Sequence, residues 1–439
     1  MNRRLKMKKT IFCLTLLSLF AATGVAQAKR ELPVHVAKDG FTAKQTHKFS
    51  NQSNVMELLS GGDTSLWWTI NVAKTLPTAN LPVRTPTMPL SSAIIPEIGD
   101  IKAETSFGEM SLNEFLTDSR SYAQGLIVMH KGKIVFERYP GMRHDDPHLW
   151  ASNAKPIASL AVDLLISDGL IDDSKTFGTY VADFRGTAWE NIKIKDILDM
   201  TPGLDTEENN DTRANPNSIA IRVFNAELGQ PNIKTGKIET VREALKDAKV
   251  LREPGTSFDY GSPVTQPLVF LVEEVSGKSF ADFFDERVWS KVGAEAPLQL
   301  HLAPDGMPAV HGIVSSRLRD MARYGMLYTP SWNKVATEQI VTPEIINRIQ
   351  DGVRSNEFFM KGHNGPTWTN WLGEGIISNS RQWDVVFSDG DFYKSGFMAQ
   401  GLYVSPARDL VIGYFSTTLD HMSPQRFLRP IVTSKLFNK

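Results

Sequence analysis

The spacing of apolar residues changes along this chain, and the changes mark its elements. "AQGLIVMH" (123–130) and "KIVFERY" (133–139) are β-rich runs joined at Lys131–Gly132, which predicts a hairpin. Soon after, Ile157, Leu160, Ala161, Leu164 and Leu165 recur at helical spacing until Gly169 stops the run. From 190 to 300 the pattern is helical and loop-rich. It is clearest as an amphipathic pair in "VTQPLVFLVEEVSGKSFADFFDERVW" (264–289). "GFMAQGLYVSPARDLVIGYFST" (396–417) predicts a second hairpin turning at Pro406–Asp409, and "SPQRFLRPIVTSKLF" (423–437) a terminal helix. Strands at both ends with helices between predict an α/β lobe whose sheet the C-terminus completes, with a mostly helical lobe inserted.

Two stretches precede this body. "MNRRLKMKK" followed by the apolar "TIFCLTLLSLFAATGV" and "AQA" at Ala26–Ala28 has the form of a secretory signal over residues 1–28. Met7 offers an alternative start. The competing reading is a retained anchor, but the run is short for a membrane span. Residues 29–104 form a separate N-terminal segment. Its Pro spacing, dense in "TLPTANLPVRTPTMPLSSAIIPEIGD" (75–100), predicts extended chain wrapping the body. "SLWWTI" (65–70) has the size and apolarity of an anchor for that wrap. The main domain is expected over 105–439.

Composition narrows the chemistry. A formal net charge of −1 gives no electrostatic basis for holding nucleic acid or a membrane surface. Cys13, the one cysteine, lies in the signal, so the processed chain has no disulfide and no thiol chemistry. This suits a periplasmic or secreted protein. With 41% hydrophobic and 22% charged residues, the chain is of ordinary globular composition.

Ser152 stands three residues before Lys155, where the apolar helix begins. At that spacing both side chains share a face. A lysine half-buried among apolar groups loses its proton more readily and becomes a base for the hydroxyl. The alternative is a capping serine with a surface lysine. Lys and Arg make up 48 of 439 residues, so chance matches are expected, and Ser331–Lys334 is one, placed in a loop. Tyr260-Gly261-Ser262 sits on a Gly/Pro/Ser-rich loop before an amphipathic helix. A phenol there relays a proton and a hydroxyl holds substrate, unless the Tyr is simply buried with its oxygen satisfied. Lys234-Thr235-Gly236 lies in a polar, turn-like segment and reads as a decoy. Lys394-Ser395-Gly396 enters the final hairpin, where a sheet edge offers a backbone N–H and a cation for a substrate carboxylate. His311, in a small-residue segment, is either structural or near the pocket. There is no G-x-S-x-G, no H-E-x-x-H and no clustered His/Cys set. Gly277-Lys278-Ser279 lacks the upstream Gly of a phosphate loop.

Taken in order, Ser-x-x-Lys, Tyr-x-Ser and Lys-Ser-Gly resemble the serine β-lactamase and penicillin-binding-protein-like family. The resemblance runs from about 105 to the C-terminus. It includes "LISDGLIDDSKTFGTYVADF", "IKIKDILDMTPGLD", "REPGTSFDYGSP", "VSSRLRDMARYGML" and "GFMAQGLYVSP". It is nearest to the class C-like branch of esterases, D-aminopeptidases and 6-aminohexanoate-dimer hydrolase. That likeness implies an α/β fold with an antiparallel sheet flanked by N- and C-terminal helices and an inserted, mostly helical lobe. It implies Ser152 as acyl-accepting nucleophile, Lys155 as the group that takes its proton, and Tyr260 as second general acid/base. The N–H groups of Ser152 and Phe397 would form the oxyanion hole. Lys394, Ser395, Gly396, Ser262 and His311 would line the substrate side. Ser262 stands where true β-lactamases carry Asn, and Ala399 where the branch often has Gly. The implied substrate is a small amide or ester, with no cofactor and no metal. A cell-wall D,D-peptidase or weak β-lactamase, and a non-catalytic binding protein that kept the pocket, are the rival expectations.

Overall fold

The computed structural model describes residues 30–437. The predicted signal and its cleavage site lie outside the described residues. Among the described residues, thirteen strands follow in chain order. The first five are β1 (Thr78–Leu81), β2 (Lys102–Thr105), β3 (Gly108–Ser111), β4 (Ala123–His130) and β5 (Lys133–Arg138). The next four are β6 (His148–Leu149), β7 (Leu298–His301), β8 (Val314–Ser316) and β9 (Ile376–Ser380). The last four are β10 (Trp383–Phe387), β11 (Phe392–Gly396), β12 (Gln400–Ser405) and β13 (Leu410–Ser416).

Seven strands make one antiparallel sheet in the order β5-β4-β13-β12-β11-β10-β9. Both predicted hairpins are in it, with Lys131 (φ 51°), Gly132 (φ 72°) and Asp409 (φ 51°) in the left-handed turn conformation. β13 lies between β4 and β12, so the C-terminal hairpin completes the sheet that the N-terminal one starts. A smaller antiparallel sheet, β1-β7-β8-β6, lies at the entrance to the Ser152 turn. Helix Leu318–Met326 packs on β13 and β4, and helix Lys155–Ser167 packs on helix Gln266–Ser276. The segment between carries the predicted helical lobe, including Asn210–Ala214, Ile219–Glu227, Gln266–Ser276 and Phe280–Arg287.

Two expectations need correction. The N-terminal segment is extended only in its Pro-dense part. Before that it forms helices Val36–Asp39, Ala43–Gln52, Val55–Leu59 and Asp63–Trp68. No Pro occurs between Pro33 and Pro77, and Thr42 with Gln45 forms a capping box. The terminal helix is also broken, into Met422–Gln425, Leu428–Val432 and a 3-10 turn, Lys435–Phe437. Pro424 and Pro430 each withhold a backbone N–H. The "SLWWTI" anchor is as expected: Trp67 is fully buried against Phe49, and it clusters with Leu149 and Ala151 beside Ser152.

Candidate active site

Ser152 sits in a 3-10 turn, Ala151–Ala154, that feeds directly into helix Lys155–Ser167. In a 3-10 turn, side chains three apart eclipse one another, so Ser152 and Lys155 stack on the same side. Pro156 lies in the first helical turn, where its missing N–H leaves no bond broken. The turn is tied down on both sides. Trp150 N–H donates to Val314 O (2.8 Å), its indole donates to Ser316 Oγ (2.8 Å), and Asn153 Nδ2 donates to Trp150 O (3.0 Å). Ala151, just before the serine, has φ +49°, an uncommon conformation for a residue with a Cβ.

Lys155 is fully buried. Its Nζ donates to Ser262 Oγ (2.9 Å) and to the main-chain oxygen of His311 (2.8 Å), and it lies 5.4 Å from the Tyr260 ring centre. Burial lowers its amine from the ordinary lysine range to about 7; Lys394 adds to the fall while Glu208 opposes it. Burial, with Asp384 and Glu208 nearby, holds the Tyr260 phenol well above its usual value, although the Ser152 hydroxyl draws it down, so Tyr260 rests protonated. Above about pH 7 a buried amine and a neutral phenol therefore lie together beside the turn that carries Ser152. That arrangement can accept a proton at one group and donate one at the other.

Lys394-Ser395-Gly396 is on β11, against the Ser152 turn. Gly396 is there for space: a Cβ would lie 2.7 Å from Trp150 O and 3.0 Å from Ala151 Cβ. Lys394 is not open to a substrate carboxylate, contrary to expectation. It is fully buried and ion-paired with Asp384, and its Nζ is 3.5 Å from the Tyr260 oxygen. Ser395 also turns to Asp384, through its N–H (2.8 Å) and hydroxyl (3.0 Å). Ser262 likewise holds Lys155 rather than facing outward, and its own N–H donates to Glu208 Oε1. Phe397 and Ser152 are half-buried. Met398 and Ala399 both have φ +59°, a left-handed conformation that favours Gly. Lys234-Thr235-Gly236 is an exposed turn, as its polarity predicts, and Ser331 is occupied with Asp409 (2.5 Å).

Sequence reasoning missed three acids. Glu208 accepts from Ser262 N–H and from Arg213 (3.1 Å). Burial pushes its carboxyl up, but Arg213, Lys155 and the Ser262 bonds outweigh this and bring it to about 2. Asp384 holds Lys394. Its signal was a charge inside the apolar run "WDVVF", where an Asp is buried only with a partner. Glu227 pairs with the His311 ring (2.7 Å). Glu208 had no such mark, because "TEENND" looks like a solvated loop. Among the described residues, no group of three or more His, Cys, Asp or Glu side chains is placed to hold a metal ion. No helix there is long and apolar enough to cross a membrane.

Comparison with known proteins adds an independent measure. The 6-aminohexanoate-dimer hydrolase of Paenarthrobacter ureafaciens is 24% identical over 357 residues, covering 81% of this chain and 86% of its own. A solved Bacillus anthracis structure assigned to the same enzyme type superposes with TM-score 0.66 at 24% identity, over 83% of this chain and 90% of that one. A Yersinia pestis β-lactamase/D-alanine carboxypeptidase does so with TM-score 0.55 at 16% identity, over 73% and 96%. The family model described as Beta-lactamase matches residues 114–433. That span takes in the whole seven-stranded sheet and the lobe inserted into it, and the chain belongs to the beta-lactamase family.

Proposed function

We propose that this chain is a serine hydrolase that cleaves a small amide or ester through an acyl-enzyme on Ser152. The observation that carries the reading is the buried Lys155, held between Ser262 Oγ and His311 O one turn from Ser152 and 5.4 Å from the Tyr260 ring centre. Ser152 Oγ adds to the substrate carbonyl as its proton passes to Lys155. The N–H groups of Ser152 and Phe397 receive the oxyanion. The Tyr260 phenol gives its proton to the leaving nitrogen or oxygen and regains one from Lys155. Water then attacks the acyl group, yields its proton to the same pair, and Ser152 departs with a proton as acid is released.

Similarity to a 6-aminohexanoate-dimer hydrolase makes short ω-amino amides the first substrates to test. Ser262 in place of Asn disfavours strong β-lactam hydrolysis. Export through residues 1–28 belongs to the same proposal, and N-terminal sequencing of the secreted product checks it. The test of the reaction is fluorophosphonate labelling with peptide mapping, run beside Ser152→Ala and Tyr260→Phe. We expect an adduct on Ser152, none in Ser152→Ala, and hydrolysis at least about 100-fold slower in Tyr260→Phe. An unlabelled wild-type chain would leave a binding protein with an inherited pocket.

A further inference from the structure

We propose that Glu227 and His311 are a positioning pair that aims the Lys155 amine, and so set how fast Ser152 is acylated. This rests on the reading of Lys155 as the base for Ser152. A neutral amine has two N–H bonds and one lone pair. Here the N–H bonds are directed to Ser262 Oγ (2.9 Å) and to His311 O (2.8 Å). A carbonyl oxygen only accepts, so its position fixes one N–H and, with the second bond, the direction of the lone pair.

The His311 carbonyl belongs to an irregular turn, not to a strand, so no sheet ladder holds it. Its residue is gripped from two sides instead. Its N–H donates to Gln266 Oε1 (3.2 Å), and Gln266 Nε2 donates to Pro308 O (3.2 Å) in the same turn. Its ring Nε2 lies 2.7 Å from both Glu227 oxygens. Glu227 ends helix Ile219–Glu227, and Phe224 of that helix lies 5.6 Å from the imidazole, centre to centre. Both members of the pair are buried, with side-chain exposures of 6% and 1%. The inserted lobe thus reaches the base through one side chain and one peptide. Glu227 also acts by charge: with Glu208 and Asp384 it favours the ammonium form of Lys155, which Lys394 opposes, while Tyr260 faces the same amine.

The experiment is the rate of fluorophosphonate labelling at Ser152 against pH, for wild type, Glu227→Ala and Glu227→Gln, with folding checked by circular dichroism. Glu227→Ala should lower the high-pH plateau about tenfold, a fraction of what a positioned base contributes. Glu227→Gln keeps an acceptor for the ring N–H. It should recover most of the plateau, with a midpoint moved to lower pH because one negative charge is gone. Folded variants whose profiles superimpose on wild type would mean that the pair only braces the lobe, and the proposal falls. If Glu227→Ala does not fold, His311→Asn, which removes the ring but keeps the main-chain oxygen, is read at the same plateau, and an unchanged plateau there overturns the proposal. A wild-type chain unlabelled at Ser152 fails before any variant is compared, and that result sinks the nucleophile reading itself.

Discussion

Lys155 is a poor place to keep a charge, and this is the source of both its use and its cost. Its amine is near 7 in the folded chain against 10.5 for an ordinary lysine. The unfolded chain therefore binds more protons between about pH 7 and pH 10.5, and stability rises with pH across that window. At neutral pH the residue destabilises the fold by a few kcal/mol, to order of magnitude. Lys155→Met should then abolish Ser152 labelling yet raise the thermal midpoint at pH 7. It should also flatten the rise of stability above pH 7 in a denaturation series. A variant that is both inactive and less stable would show that the Lys155 hydrogen bonds outweigh its desolvation. The same group predicts wild-type hydrolysis climbing as pH passes about 7, as the ammonium becomes an amine.

At the scale of elements, the site depends on how closely β11 approaches the Ser152 turn. Gly396 allows that contact, and an added Cβ would lie 3.0 Å from Asn153 Nδ2 as well as 2.7 Å from Trp150 O. The backbone oxygen cannot swing away as a side chain would. Gly396→Ala should destabilise by about 1–3 kcal/mol, the usual range for an overpacked site. It should also lower Ser152 labelling by more than its stability loss explains, because Phe397 follows directly. Urea denaturation and labelling on the same sample separate the two effects. The opposite wall is just as local: Trp150 bonds to Val314 and Ser316, so β8 fixes the turn from the other side.

For the whole molecule, the N-terminal segment is part of the site's support. β1 pairs with β7 in the small sheet, and Leu149 N–H donates to Thr69 O (2.7 Å) three residues before Ser152. Trp67 and Trp68 pack in one cluster with Leu149 and Ala151. Arg30 bonds to Gly61 O and Thr417 O, which ties the segment's start to the end of β13. A chain beginning at residue 105 should therefore show a lower denaturation midpoint and at least about tenfold slower Ser152 labelling. Unchanged labelling and stability would make the segment dispensable.

The sequence by itself determined the elements with strong periodicity. The hairpins at Lys131–Gly132 and Pro406–Asp409, the helix from Lys155 and the amphipathic pair after Val264 are local patterns, decided by alternation and turn residues. It also ordered Ser152, Lys155, Tyr260 and Lys394 along the chain and rejected Lys234-Thr235-Gly236, which lies between Lys155 and Tyr260 in a polar, turn-like segment. The helices of 36–68 lie where no Pro occurs, between Pro33 and Pro77, so the Pro spacing of 75–100 does not extend to them. Only the tertiary structure decided which charges meet. Glu208 comes to Ser262 from 54 residues away and Glu227 to His311 from 84. An isolated acid, in a loop like Glu208 or at a helix end like Glu227, carries no trace of such a partner. Whether Lys155 is an ammonium or an amine is settled the same way, by burial and by neighbours that the chain folds back to supply.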